Sequence, residues 1–141
     1  MEFFDLIRDR YSVRKYADKP VEQEKLNKIL AAGAAAPTAK NLQPQRIYVL
    51  ESKEAIEKIR GITRCAFNAP VVLMVCGNKE EAWVNPFNNR SSAEMDCSIV
   101  TTQMMRVVRK TQTNNRQKHF FTTKYKFIWI FAFFFVPLRA D

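Results

Sequence analysis

At 141 residues, with 47% hydrophobic and 26% charged side chains, the chain has the length and composition of one globular domain, enough to bury about two-thirds of the surface its unfolded form exposes. The formal charge of +9 is uneven: residues 1–105 hold 15 Lys/Arg against 13 Asp/Glu and residues 106–141 hold 8 against 1, so most of the basicity belongs to the tail. Three single cysteines without C-x-x-C spacing, one histidine (His119) and an N-terminus lacking a positive and then apolar leader argue against a disulfide framework, a zinc site and export, and point to free thiols in the cytoplasm.

In chain order, Phe3, Leu6, Ile7 and Arg10 fall at helical spacing and predict a short amphipathic helix over residues 2–9. Residues 10–16 have no helical stripe and read as extended. Leu26, Ile29, Leu30, Gly33 and Ala34 follow i, i+3, i+4, i+7, i+8, which predicts a helix over 22–35, with Glu24 and Lys28 as an i,i+4 pair on its outer face. Pro37 stops that helix. The apolar stretch in 46–51 reads as a strand covered on both faces. Ser52 is placed to cap a helix over 53–60, ended by Gly61. Residues 70–76 form a continuous apolar, β-branched run bounded by Pro70 and Gly77, a second strand, and both strands read as central. Residues 78–92 have no period and read as a surface segment. Ser91-x-x-Glu94 has the form of a capping box, and Val100, Met104, Val107 and Val108 recur on one face, so a helix is predicted over 92–108, buried if Ile99 also faces inward.

Two stretches carry candidate chemistry. Arg10, Ser12 and Arg14 alternate, so in an extended segment their side chains share one side, where two guanidiniums and a hydroxyl suit a phosphate. From spacing alone, solvated surface arginines are the alternative. The loop after the second helix collects Pro37, Thr38, Ala39, Asn41 and Gln43, with amide and hydroxyl groups but no ionisable catalyst. It suits holding a polar planar ligand better than moving protons, although such residues are also ordinary loop formers. Cys65, Cys76 and Cys97 read as small hydrophobes, and Trp83 and Phe87 as part of a substrate lid or as packing residues under a loop.

Together, Arg10-x-Ser12-x-Arg14 and Ala36-Pro37-Thr38-x-x-Asn41-x-Gln43-Pro44 resemble elements of the nitroreductase family of flavin mononucleotide (FMN) enzymes, in the family's order and at about its separation. Asn68-Ala69-Pro70 before an apolar strand agrees, as does the stretch from Glu94 to Met105, which is similar to the family's central helix. The resemblance covers residues 2–105. It implies an α+β fold with an antiparallel-dominated sheet flanked by helices, in a homodimer with FMN at the subunit interface. Arg10, Ser12 and Arg14 would hold phosphate and ribityl chain. Pro37, Thr38, Ala39, Asn41 and Gln43 would contact the flavin, Thr38 and Ala39 from the other subunit. The implied reaction passes hydride from NAD(P)H through FMN to a nitroaromatic, quinone or similar acceptor, with no catalytic side chain assigned.

After Met105 the text changes, giving an expected division into a family-like domain at 1–105, incomplete, and a tail at 106–141. The glycine-rich L-G-x-G segment and C-terminal basic residue of family members do not appear there; Gln45 stands where an aromatic is common and Thr38 where serine is. Polar residues up to Lys118 give way to ten apolar ones, Phe127 to Val136, which are too few to span a bilayer. The abundance of Phe, Lys, Asn, Ile and Tyr suggests a reading frame lost near Met105. The expectation is a poorly soluble protein with weak or no FMN retention and no detectable NAD(P)H oxidation, and the alternative to an oxidoreductase is a non-catalytic remnant without cofactor. An arm for nucleic acid or an anionic membrane ranks last, because basic and aromatic residues sit in separate blocks.

Overall fold

The computed structural model describes residues 3–8, 14, 16, 20–113 and 128–132. Its elements are helix α1 (Phe3–Arg8), helix α2 (Gln23–Ala34), strand β1 (Gln45–Leu50), helix α3 (Lys53–Ile62), strand β2 (Val71–Gly77), helix α4 (Ala93–Thr113) and strand β3 (Ile128–Ala132). The six expected helices and strands of residues 2–108 all form, with bounds shifted by one or two residues except at the end of α4, which runs on past Met105 to Thr113. The architecture is α+β.

β2 is the middle strand. It pairs antiparallel with β1, from Gln45 opposite Gly77 to Leu50 opposite Val72, and parallel with β3, from Val71 opposite Ile128 to Val75 opposite Ala132. The described sheet is therefore mixed, in the order β1-β2-β3. Side chains alternate across β2 as the strand period requires. Val71, Leu73 and Val75 enter one core with Leu26 and Ile29 of α2 and Cys97, Val100 and Met104 of α4. Val72 enters a second core with Ile56 and Ile59 of α3, Ala66 and Ala69. Burying each of these larger side chains contributes about 1.5–3 kcal/mol.

The strand β1 departs from expectation. It lies at the edge of the described sheet, and Arg46 and Tyr48 are exposed while Ile47 and Val49 pack on the α2/α4 core and Leu50 on the other. An apolar run this short cannot distinguish a half-covered strand from a fully covered one. In α4 the condition for a fully buried helix is not met: Ile99 is exposed, as are Met95 and Met105, so the helix buries one stripe only. α1 lies against it, with the Arg106 guanidinium 5.3 Å from the Phe3 ring centre.

Two local helix boundaries, the end of α3 and the start of α4, differ from expectation. Gly61 lies inside α3, which ends at Ile62 because Thr63 turns extended (φ −144°, ψ 137°) and its hydroxyl accepts the Cys65 N–H. The Ser91/Glu94 box does not form. Ser91 bridges back to Val84, and the buried Ser92 takes the place before α4, its carbonyl accepting the Asp96 N–H and its hydroxyl donating to Asp96 Oδ2 at 2.7 Å. The Ser52 cap does form, accepting the Ala55 N–H at 3.2 Å. The hairpin closed by Val84 and Ser91 carries a half-buried Trp83 at its base and an almost fully exposed Phe87 at its turn, so Phe87 is not packed beneath the loop.

Helix α2 meets α4 at Gly33. A Cβ there would come within 2.8 Å of Ile47 Cδ1 and 2.9 Å of Met104 Sδ, whereas one at Gly61 meets nothing within 4 Å. Gly33→Val is expected to cost about 1–3 kcal/mol through overpacking, and Gly61→Ala to gain about 0.5–1 kcal/mol from helix propensity, both read as shifts in the urea unfolding midpoint.

Cys76 and Cys97 are buried and Cys65 is exposed, all as free thiols. Burial pushes the Cys97 thiol up to about 11, with Cys76 and Asp96 nearby adding to the effect, and burial pushes the Tyr16 phenol up to about 12. Both folded values lie above the ordinary 9.0 and 10.0, so the unfolded chain releases these protons first. Their stabilisation is complete below pH 9 and is lost as pH rises through about 11 and 12. Alkylation of the native protein at pH 8 is expected to modify Cys65 fast and the other two only on unfolding, and the urea midpoint is expected to fall above pH 9.

Candidate cofactor-binding loop

The loop from Ala35 to Pro44 joins α2 to β1. α2 ends in the usual helical turn, with the Ala35 N–H bonded to Ala31 and the Ala36 N–H to Gly33, and Pro37 supplies no N–H to continue it. Thr38 is extended (φ −130°, ψ 161°), and Ala39–Asn41 make one 3₁₀ turn. Inside this loop the backbone turns left-handed at Lys40 (φ 51°), Asn41 (φ 55°) and Gln43 (φ 49°), half of the six non-glycine residues with positive φ among those described. Each such residue costs about 1–2 kcal/mol, less for asparagine, so the shape persists only because surrounding bonds impose it.

Those bonds can be named. Asn41 N–H donates to the Thr38 carbonyl (2.9 Å), Leu42 N–H to the Ala39 carbonyl (3.2 Å), and Gln43 N–H to Thr38 Oγ1 (3.0 Å). At one end of the loop the Ala39 N–H donates to Asp96 Oδ1 on α4 at 2.9 Å. At the other, the Asn78 N–H donates to the carbonyl of the fully buried Pro44 at 2.9 Å, just past the end of β2. Close packing of Gly77 against Ala93 joins the β2 end to the start of α4, since a Cβ on Gly77 would lie 3.0 Å from Ala93 Cβ and 3.1 Å from Cys97 Sγ.

The structure thus brings Thr38, Asn41 and Gln43 together. Gln43 Nε2 donates to Asn41 Oδ1 at 3.2 Å, which leaves the Asn41 amide hydrogens, Gln43 Oε1 and the Thr38 hydroxyl hydrogen without a bond among the described residues. Pro37, Asn41 and Gln43 are exposed, and Thr38 and Ala39 half-buried. The free groups are donors and an acceptor on one short rim, the complement of a planar ligand edge that mixes carbonyl and N–H groups. Among the described residues the one carboxylate bonded to the loop is Asp96, which takes the Ala39 N–H, and no group of His, Cys, Asp or Glu could hold a metal ion. Arg14 is exposed and outside any regular element, with no hydrogen bond to the loop. Arg10 and Ser12 lie outside the described residues, as does most of the tail.

Asp96 is the residue bonded to this loop that the sequence reading passed over. It is 2% exposed, and its two oxygens are divided between its own helix and a loop 57 residues earlier. The signal present in the sequence was a carboxylate in the first turn of a helix behind a serine, which reads as ordinary capping.

The family model described as the Nitroreductase family matches residues 7–71, a span that takes in both the Arg10–Arg14 stretch and the whole α2–β1 loop. A nitroreductase family protein of Clostridium difficile superimposes with a TM-score of 0.76 at 40% identity, covering 79% of this chain and 64% of that one. A Desulfovibrio desulfuricans structure solved in complex with FMN superimposes with a TM-score of 0.68 at 26% identity, covering 77% and 63%. A Methanothermobacter thermautotrophicus protein carrying the provisional name NADH dehydrogenase/NAD(P)H nitroreductase is 30% identical over 108 residues, 74% of this chain and 54% of its own length. The chain therefore spans about half the length of that curated relative. Residues 7–71 thus match the nitroreductase family, and the described fold is shared with a nitroreductase family structure over 79% of this chain.

Proposed function

We propose that the chain binds FMN on the α2–β1 loop and belongs to an NAD(P)H-dependent oxidoreductase. The observation that carries this reading is the loop itself: strained backbone at Lys40, Asn41 and Gln43, tied down at both ends, presenting Asn41 Nδ2, Gln43 Oε1 and the Thr38 hydroxyl free for a ligand. In this reading Asn41 and Gln43 bond the polar edge of the flavin with Pro37 beside it, Thr38 and Ala39 meet the flavin from the other subunit of a dimer, and Arg10, Ser12 and Arg14 hold the phosphate. The chemistry that FMN supplies when bound is the passage of hydride from NAD(P)H to a nitroaromatic, quinone or similar acceptor. The protein's part is to orient and desolvate, which needs hydrogen bonds and not a titrating side chain. The Desulfovibrio desulfuricans structure in complex with FMN supports the cofactor, and the Methanothermobacter thermautotrophicus relative, named for NADH dehydrogenase/NAD(P)H nitroreductase, supports the donor.

We further propose a cytoplasmic homodimer. Met95, Ile99 and Met105 lie on one exposed stripe of α4 beside Thr102, the kind of apolar face that a second copy covers. Among the described residues no helix is long and apolar enough to cross a membrane.

The experiment is a flavin fluorescence titration of the purified chain, followed by an NAD(P)H consumption assay with a quinone or nitroaromatic. Saturable quenching at one FMN per chain supports the reading. Flavin fluorescence unchanged by the protein would replace it with the alternative, a non-catalytic chain without cofactor. Arg10→Ala and Arg14→Ala are each expected to weaken FMN by about 1–3 kcal/mol through loss of a charge-assisted phosphate contact, while Lys15→Ala leaves binding nearly unchanged. Equal losses at all three positions would contradict the alternation on which the phosphate assignment rests.

A further inference from the structure

We infer that Asp96 is the positioning residue of the cofactor loop, holding Ala39 so that Asn41 and Gln43 face the ligand. The inference rests on the flavin reading for its ligand and on the geometry alone for its mechanism. Asp96 is buried at 2% exposure, where a carboxylate is costly unless its oxygens are bonded. Oδ2 takes the Ser92 hydroxyl at 2.7 Å and Oδ1 takes the Ala39 N–H at 2.9 Å. A capping role would be complete with the first bond; the second reaches across the fold to another element.

Ala39 is where that bond has most effect. Its N–H opens the 3₁₀ turn and has no earlier carbonyl of that turn to accept it, and the next two residues are left-handed. If Ala39 were free, Lys40 and Asn41 could relax to negative φ, and relaxation would rotate the Asn41 side chain and part the Asn41 and Gln43 amides. The anchor is itself rigid, since α4 begins at Ala93 against Gly77 and its next turn is buried through Cys97 and Val100. Asp96 acts through Ala39 and is not assigned contact with substrate or cofactor.

The test uses the full chain in four forms: Asp96→Ala, Asp96→Asn, Ala39→Pro and the double variant Asp96→Ala/Ala39→Pro. Ala39→Pro removes the donor while leaving α4 untouched, at the first position of a turn preceded by an extended residue, where proline is tolerated. Three readouts are compared: FMN affinity by fluorescence, amide hydrogen exchange of residues 38–43 against residues 71–76, and thermal midpoint. Asp96→Ala and Ala39→Pro are each expected to weaken FMN about tenfold, the scale of one lost charge-assisted bond. Both are expected to speed exchange in 38–43 while β2 keeps its protection. Asp96→Asn retains an acceptor for Ala39 and is expected to recover most of the affinity. The double variant is expected to lose no more than the worse single one, because both remove the same bond.

Unchanged exchange in 38–43 in the single variants would overturn the inference, as would additive losses in the double variant. Equal loosening of 38–43 and 71–76 would also overturn it, by showing Asp96 to be general support for the fold. Should Asp96→Ala fail to fold, Ala39→Pro decides by the same exchange readout. Should the unmodified chain leave FMN unbound, the cofactor reading falls, and the exchange comparison still decides whether Asp96 holds the loop.

Discussion

Strand β2 has no solvent face, and the placement of every other element follows from that. Val71, Leu73 and Val75 on one side and Val72 on the other are each at most 4% exposed, so two separate cores meet on a single strand. A strand in this position must be covered above and below and paired along both edges, because unpaired backbone buried away from water costs as much as lost hydrogen bonds. α2 and α4 cover one face, α3 covers the other, and β1 and β3 satisfy the edges. Near the β2 end, Asn78 and Gly77 receive the cofactor loop and the start of α4.

The loop shows how a rigid frame sustains a shape that its own residues resist. Lys40 and Gln43 have no intrinsic reason to be left-handed, and a free peptide of this sequence would relax. The α4 carboxylate at one end and the Asn78 N–H at the other remove that freedom, and the internal bonds to Thr38 close the turn between them. Local strain that is over-determined by its surroundings is common where a protein holds a ligand, and here it coincides with the only cluster of polar side chains that the sequence had singled out between α2 and β1. The match of a nitroreductase family model over residues 7–71 spans that same loop.

α4 serves two purposes on two faces. Its buried stripe of Cys97, Val100 and Met104 completes the larger core, and Asp96 at its start reaches the loop. Its other face carries Met95, Ile99 and Met105 to solvent, an apolar stripe at spacings that no contact within the described residues explains. The exposed side also carries Glu94, Ser98, Thr102 and Arg106, so this outer surface is mixed. The inward face was legible from the recurrence of Val100, Met104, Val107 and Val108, which pack on the larger core.

What the sequence determined by itself was the list of elements up to α4, whereas β3 lies in the apolar stretch of the tail from which no element was expected. The stripe of Leu26, Ile29 and Gly33 reads as a helix by its 3.6-residue period, and the run from Val71 to Val75, which has no period, reads as a strand by its short length, its β-branched residues and the flanking Pro70 and Gly77. The polar loop after Pro37 was legible too, since proline ends a helix wherever it falls past the first turn. The tertiary structure decided what composition leaves degenerate. It placed β1 at a sheet edge, since Ile47 to Leu50 reads the same whether one face or two are covered. It carried the α3 helix through Gly61, because a glycine with negative φ is no helix stop. It paired Ser92 with Asp96 in place of Ser91 with Glu94, and gave Asp96 a partner 57 residues away. A hydrogen bond between distant segments leaves no period and no local spacing in the chain, so only the packing of α4 against the β2 end could disclose it.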